Sequence, residues 1–67
     1  MDHALTRYRA EKELTLEAFA ARIGAAKSMV WKWENGAIPR ALYMQKIAAE
    51  TDGAVTPNDW YGVEVAA

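Results

Sequence analysis

Gly24 stands between two short stretches of helical spacing and leaves this chain little choice of path. On its N-terminal side Phe19, Ala20 and Ile23 fall at i, i+1 and i+4 and make one narrow apolar face. Thr15 is a good N-cap for that stretch, and Glu17 sets a negative charge in the first turn, where the helix dipole favours it. Gly24 ends the helix, because glycine enters the left-handed region without a Cβ clash. Ala20, Ala21, Ala25 and Ala26 crowd the corner, and two helices crossing closely need such small side chains. Beyond the corner a second helix is expected from about Ala26 or Lys27 to Glu34 or Asn35. Val30 and Trp33 give it a core side, while Ser28, Trp31, Lys32 and Asn35, at i, i+3, i+4 and i+7, share the opposite face. Gly36 stops it. No Ser, Thr or Asp opens it, a local defect of about 1 kcal/mol.

The flanks read as three further helices. Leu5 and Tyr8, three apart, predict a first helix from about Ala4 to Lys12, with the stem of Arg9 or Lys12 turned inward and Asp2 or His3 before it, Asp2 able to cap. Ala41, Met44, Ile47, Ala48 and Thr51 form the inward stripe of a fourth helix that ends before Gly53, with Pro39 in its first turn and Leu42 and Tyr43 off the stripe. Thr56-Pro57-Asn58-Asp59 is a start signal for a fifth: a Thr cap, Pro at the first position and Asp two residues on. It reaches about Tyr61, since Gly62 breaks it, and Trp60 is expected to fold back on the core. Val63-Glu64-Val65 alternates and reads as a short extended segment or a frayed tail. The expectation is an all-α domain over residues 1–67, a bundle of five short helices.

A chain of 67 residues is one domain. At this size folding hides only about 60% of the unfolded surface, so the three Trp, three Tyr and one Phe matter to the core. The absence of cysteine excludes a disulfide frame and a thiolate metal site, and it suits a reducing cytosol. Met1-Asp2-His3-Ala4 starts no apolar leader, and no apolar run approaches the ~20 residues that span a bilayer. The carboxylates are scattered, no phosphate-cradling glycine loop appears, and His3 stands alone, so no enzyme, cofactor or metal is expected.

The net charge of −1 argues, taken as a sum, against a nucleic-acid partner. Its distribution argues differently. Between residues 22 and 46 five basic residues, Arg22, Lys27, Lys32, Arg40 and Lys46, face one acid, Glu34, for a net +4. Residues 47–67 carry four acids and no Lys or Arg. An ordinary mixed surface gives the same pattern.

A capped helix, a glycine turn and a second helix with a polar outer face are the parts of a helix-turn-helix. The stretch resembles the lambda-repressor-like group, which includes the phage repressors and Cro proteins, in Leu14-Thr15, Ala20, Ile23-Gly24, Ser28, Val30, Trp33-Glu34-Asn35-Gly36 and Pro39. Gly53-Ala54-Val55-Thr56-Pro57-Asn58-Asp59 is similar to the small prophage-type Cro regulators, so the likeness covers about residues 5–61. The resemblance implies that the third helix lies in the major groove and that Lys27, Ser28, Trp31 and Lys32 meet base edges. A lysine there donates to guanine O6 or N7, and the Trp31 ring reaches a thymine methyl or a sugar edge; the alternative is a ring folded over its neighbours or part of a self-association surface. Thr15, Asn35, Arg40 and the backbone around Met29 are implied phosphate contacts. The family pairs an Arg late in helix one with the Glu after the recognition helix, here Arg9 and Glu34. Three positions depart from its pattern: Leu16 where Gln is frequent, Glu13 where Gly is frequent, and Ala26 in place of a polar cap.

The function so implied is a sequence-specific regulator of transcription, cytoplasmic and nucleoid-associated, acting as a homodimer on a near-palindromic double-stranded DNA operator. Leu42, Tyr43, Trp60, Tyr61, Val63 and Val65 are candidate apolar area for the dimer. The alternative is a protein-interaction adaptor on the same scaffold, an antitoxin or anti-repressor, favoured by the net negative charge and exposed aromatics. Retention on heparin or bulk DNA at low salt separates the two.

Overall fold

The computed structural model describes residues 3–61, and these form five helices in chain order: α1 (Ala4–Glu11), α2 (Leu16–Ile23), α3 (Lys27–Glu34), α4 (Ala41–Glu50) and α5 (Asn58–Tyr61). There is no strand among the described residues. The all-α architecture is therefore the expected one, and Val63-Glu64-Val65 lies outside the described residues.

Four of the helices end by one device. After each, a residue turns into positive φ and the next amide closes a six-to-one bond back onto the last turn. Gly24 does so at φ 69°, with Ala25 N–H donating to the Ala20 carbonyl at 2.9 Å. The same 2.9 Å closure joins Leu14 to Arg9, Ala37 to Lys32 and Gly53 to Ala48. At two of the four sites the residue at positive φ is not glycine: Glu13 (φ 55°) ends α1 and Asp52 (φ 53°) ends α4. The departure from the family pattern at Glu13 is thus a real conformational demand, since the left-handed region costs an L-residue roughly 1–2 kcal/mol.

α2 packs on α3 and α4, and α1 on α3. Their apolar faces enclose Leu5, Phe19, Ala20, Ile23, Val30, Trp33, Ile47 and Val55, with Met44 beside them. Tyr8 meets Phe19 edge-on at 6.1 Å, and the Trp33 and Tyr43 rings lie 5.2 Å apart. Thr51 is the buried polar residue of this core. Its hydroxyl donates to the Ile47 carbonyl at 2.8 Å and accepts the Val55 amide at 3.1 Å, which ties the end of α4 to the following loop. Trp60 does fold back: its Nε1–H donates to the Trp33 carbonyl at 2.9 Å, and its ring rests on His3 at 4.6 Å.

Several local expectations are corrected. His3, not Asp2, caps α1; its Nδ1 accepts the Leu5 amide at 3.0 Å. Pro39 precedes the N-cap Arg40 and is buried, so it shapes the approach to α4 rather than its first turn. Ala41 is exposed, because the inward stripe of α4 begins a turn later at Met44. Of the residues expected to offer apolar area to a partner, Tyr43 and Trp60 are packed against the core, whereas Leu42 and Tyr61 are exposed. Val55, two residues past Gly53 in a turn-rich segment without periodicity, is buried all the same.

Candidate nucleic-acid interface

α3 divides along its length. Val30 and Trp33 are buried, and Lys27, Ser28, Trp31 and Lys32 are exposed with Asn35 just beyond the last turn. The four residues implied as base contacts therefore share one free helical face. Ala26, at the N-cap, makes no side-chain hydrogen bond, so the uncapped start anticipated from the sequence is present. Lys27 Nζ lies 3.6 Å from Glu17 Oε1, with both groups largely exposed. Such a solvent-screened pair contributes little and leaves the ammonium available to a stronger anion.

Thr15 caps α2: its Oγ1 accepts the Ala18 amide at 3.0 Å and its carbonyl takes Phe19 N–H. The Leu16 and Glu17 amides have no acceptor within the helix and point out of its N-terminus, a geometry suited to a phosphate oxygen. Leu16 itself adds no hydrogen bond; it is half-buried and packs on the core. The Asn35 side chain is already engaged, its Nδ2 donating to the Trp31 carbonyl at 2.8 Å, so only its remaining amide atoms face outward. Arg40 is exposed at the N-cap of α4, with no side-chain capping bond.

The Arg9–Glu34 pair is formed. Arg9 Nη2 donates to Glu34 Oε1 at 2.8 Å and Nε to Oε2, while Nη1 reaches the Leu14 carbonyl at 3.0 Å. The hydrogen bond to Glu34 holds the Arg9 guanidinium above its ordinary range against the opposing effect of desolvation. Thr6 completes the network by donating to Glu34 Oε1 at 2.9 Å. Its part was not foreseen, although Thr6 lies one turn before Arg9 on α1 and so shares its face. With three donors bonded to it, the acid at the end of α3 is neutralised beside the exposed face of that helix.

The basic middle of the chain is not one surface. Arg22 pairs with Glu50 at 3.1 Å, and Arg22 and Lys46 line a groove between α2 and α4 to which no α3 residue contributes. Lys46 Nζ also sits 5.8 Å from the Tyr43 ring centre. Of the basic middle, Lys27 and Lys32 stand exposed on α3, and Arg40 is exposed at the start of α4.

An exposed polar helix held against a capped partner across a left-handed turn defines a helix-turn-helix DNA-binding domain. A helix-turn-helix family model matches residues 5–56, and the chain belongs to this family, in its lambda-repressor and Cro type, whose members are DNA-binding regulators of transcription. Searches of curated proteins and of solved structures return no match. Among the described residues no group of His, Asp and Glu could hold a metal ion, and no helix is long and apolar enough to cross a membrane.

Proposed function

We propose that the chain is a small repressor of the Cro kind that recognises a specific double-stranded DNA operator and acts by occupying it, excluding polymerase or a rival repressor. The observation that carries this reading is the exposed face of α3, where Lys27, Ser28, Trp31 and Lys32 stand opposite the buried Val30 and Trp33. α3 enters the major groove, and its lysines meet guanine acceptors. Thr15 with the first amides of α2, the outer atoms of Asn35, and Arg40 hold flanking phosphates and set register. One module of this size makes few contacts, so two copies act on half-sites about 34 Å apart, one DNA turn, in a near-palindromic operator. Leu42 and Tyr61, both exposed and apolar, are the area offered to the second copy.

The test is selection of bound duplexes from a random library, followed by sedimentation of the protein on the selected duplex. The expected result is an enriched, near-palindromic sequence bound by two chains. No enrichment, together with no retention on bulk DNA at low salt, would replace this reading with that of a protein-interaction adaptor.

A further inference from the structure

α3 carries two tryptophans with opposite surroundings. Trp33 is 5% exposed, its ring tilted against Tyr43 and its carbonyl bonded by Trp60. Trp31 is 55% exposed, and among the described residues its ring has no aromatic, cationic or hydrogen-bonding partner. Its main chain, by contrast, is fixed: the Trp31 carbonyl accepts both the amide of Asn35 and its side-chain Nδ2, so the last turn of α3 that bears the ring is doubly closed. The groove beside the ring is mostly polar, lined by His3, Thr6, Arg9, Glu34 and Asn35 together with Leu16. The exposed side of α3 thus holds a single apolar step, the Trp31 ring, among Lys27, Ser28, Lys32 and Asn35.

An apolar step in a major groove is selective by default. Guanine, adenine and cytosine offer only polar groups there, and covering them strips their water without returning a hydrogen bond. The C5-methyl of thymine is the exception, the single apolar group on that edge. The lysines on either side bring the negative duplex up to the ring and fix the occupant as DNA. Building on the proposed DNA reading, we infer that Trp31 is the specificity residue that recognises a C5-methyl pyrimidine, thymine or 5-methylcytosine, by apolar contact rather than through its indole N–H.

The test uses the full chain and the duplex recovered by selection. Each dT is replaced in turn by deoxyuridine, which removes only the methyl, and the same position is then made dC or 5-methyl-dC. Burial of one methyl corresponds to roughly a fourfold change in Kd. At one position per half-site, deoxyuridine should weaken binding about fourfold, and 5-methyl-dC should bind more tightly than dC by a similar factor. Trp31→Ala should bind dT and deoxyuridine duplexes equally. Trp31→Phe, which keeps a ring and loses the N–H, should retain most of the difference. Equal binding of dT and deoxyuridine by the unaltered chain at every position would overturn the inference, as would a Trp31→Ala chain that keeps the difference. A Trp31→Phe chain that loses it would assign the contact to the indole N–H. A Trp31→Ala chain that loses self-association but keeps the ratio would move the ring into a protein contact. If selection recovers no duplex, the DNA reading falls first and this assignment with it.

Discussion

Arg9 on α1 and Glu34 at the end of α3 form a two-pronged ion pair that joins the first helix to the one bearing the exposed polar face. The two side chains are 17% and 7% exposed, so each sits in a medium poorer than water at solvating a lone charge. Removing one partner is then worse than lacking the pair. Arg9→Met leaves the more buried carboxylate with only Thr6, whereas Glu34→Gln still accepts from Thr6 and leaves Arg9 its bond to Leu14. Arg9→Met should lower stability by about 3 kcal/mol, Glu34→Gln by less, and the double replacement by less than the sum. Urea midpoints of the four proteins check this. The sign of any pH dependence follows from the raised guanidinium: its contribution is present below the ordinary Arg range and is lost only as pH rises through the higher folded value. The stability difference between native and Arg9→Met chains should therefore not decline through arginine titration between neutrality and about pH 10.

Glu13 and Asp52 occupy backbone positions where Gly24 and Gly36 serve elsewhere in the same fold. Glu13→Gly relieves a left-handed residue at the cost of a more flexible unfolded chain, for a net gain of about 0.5–1 kcal/mol. Gly24→Ala should lose about 1 kcal/mol or more. A Cβ there meets nothing nearer than Lys46 Nζ at 3.8 Å, so the loss is backbone strain and not a clash. Thermal melts of both variants give opposite shifts.

Thr51 separates two contributions in the core. Thr51→Val keeps the shape but leaves the buried Val55 amide without its acceptor, at about 1–3 kcal/mol. Thr51→Ser keeps the hydroxyl and loses a methyl, about 0.8 kcal/mol. The ordering, Val worse than Ser, is read from chemical unfolding. The reverse ordering would mean that Thr51 acts by filling space.

The parts legible in the sequence were those with a short-range cause. Thr15, Gly24 and Gly36 act on their own neighbours, so α2, α3 and the free face of α3 were read nearly to the residue. The Arg9–Glu34 pair spans 25 positions, and it was reached through the family likeness, not through spacing. What stayed hidden depends on partners far along the chain or on an atom's second use. Val55 is buried by elements that its own turn-rich surroundings do not announce. His3 gains its place through Trp60 as much as through α1. Asn35, a plausible phosphate donor by position, spends one N–H on its own helix. The +4 segment looked like a patch because the chain is linear, and folding sends Arg22 and Lys46 to another groove.

That division of the cations makes the DNA reading separable residue by residue. Lys32 is exposed on the free face of α3, Arg40 at the start of α4, and Lys46 lies over the turn beside Tyr43. A phosphate contact contributes counterion release, so its loss weakens all duplexes alike and lowers the slope of log K against log salt by about 0.9. A base contact contributes discrimination, about 1–3 kcal/mol against the wrong base pair. Arg40→Ala should therefore flatten the salt slope with sequence preference kept. Lys32→Ala should relax preference at one position of each half-site. Lys46→Ala should change neither, and shift only stability. Titrations of the three variants on the selected duplex and on a scrambled one, at several salt concentrations, distinguish these outcomes. A Lys32→Ala chain with native affinity and native preference would remove α3 from the role of reader.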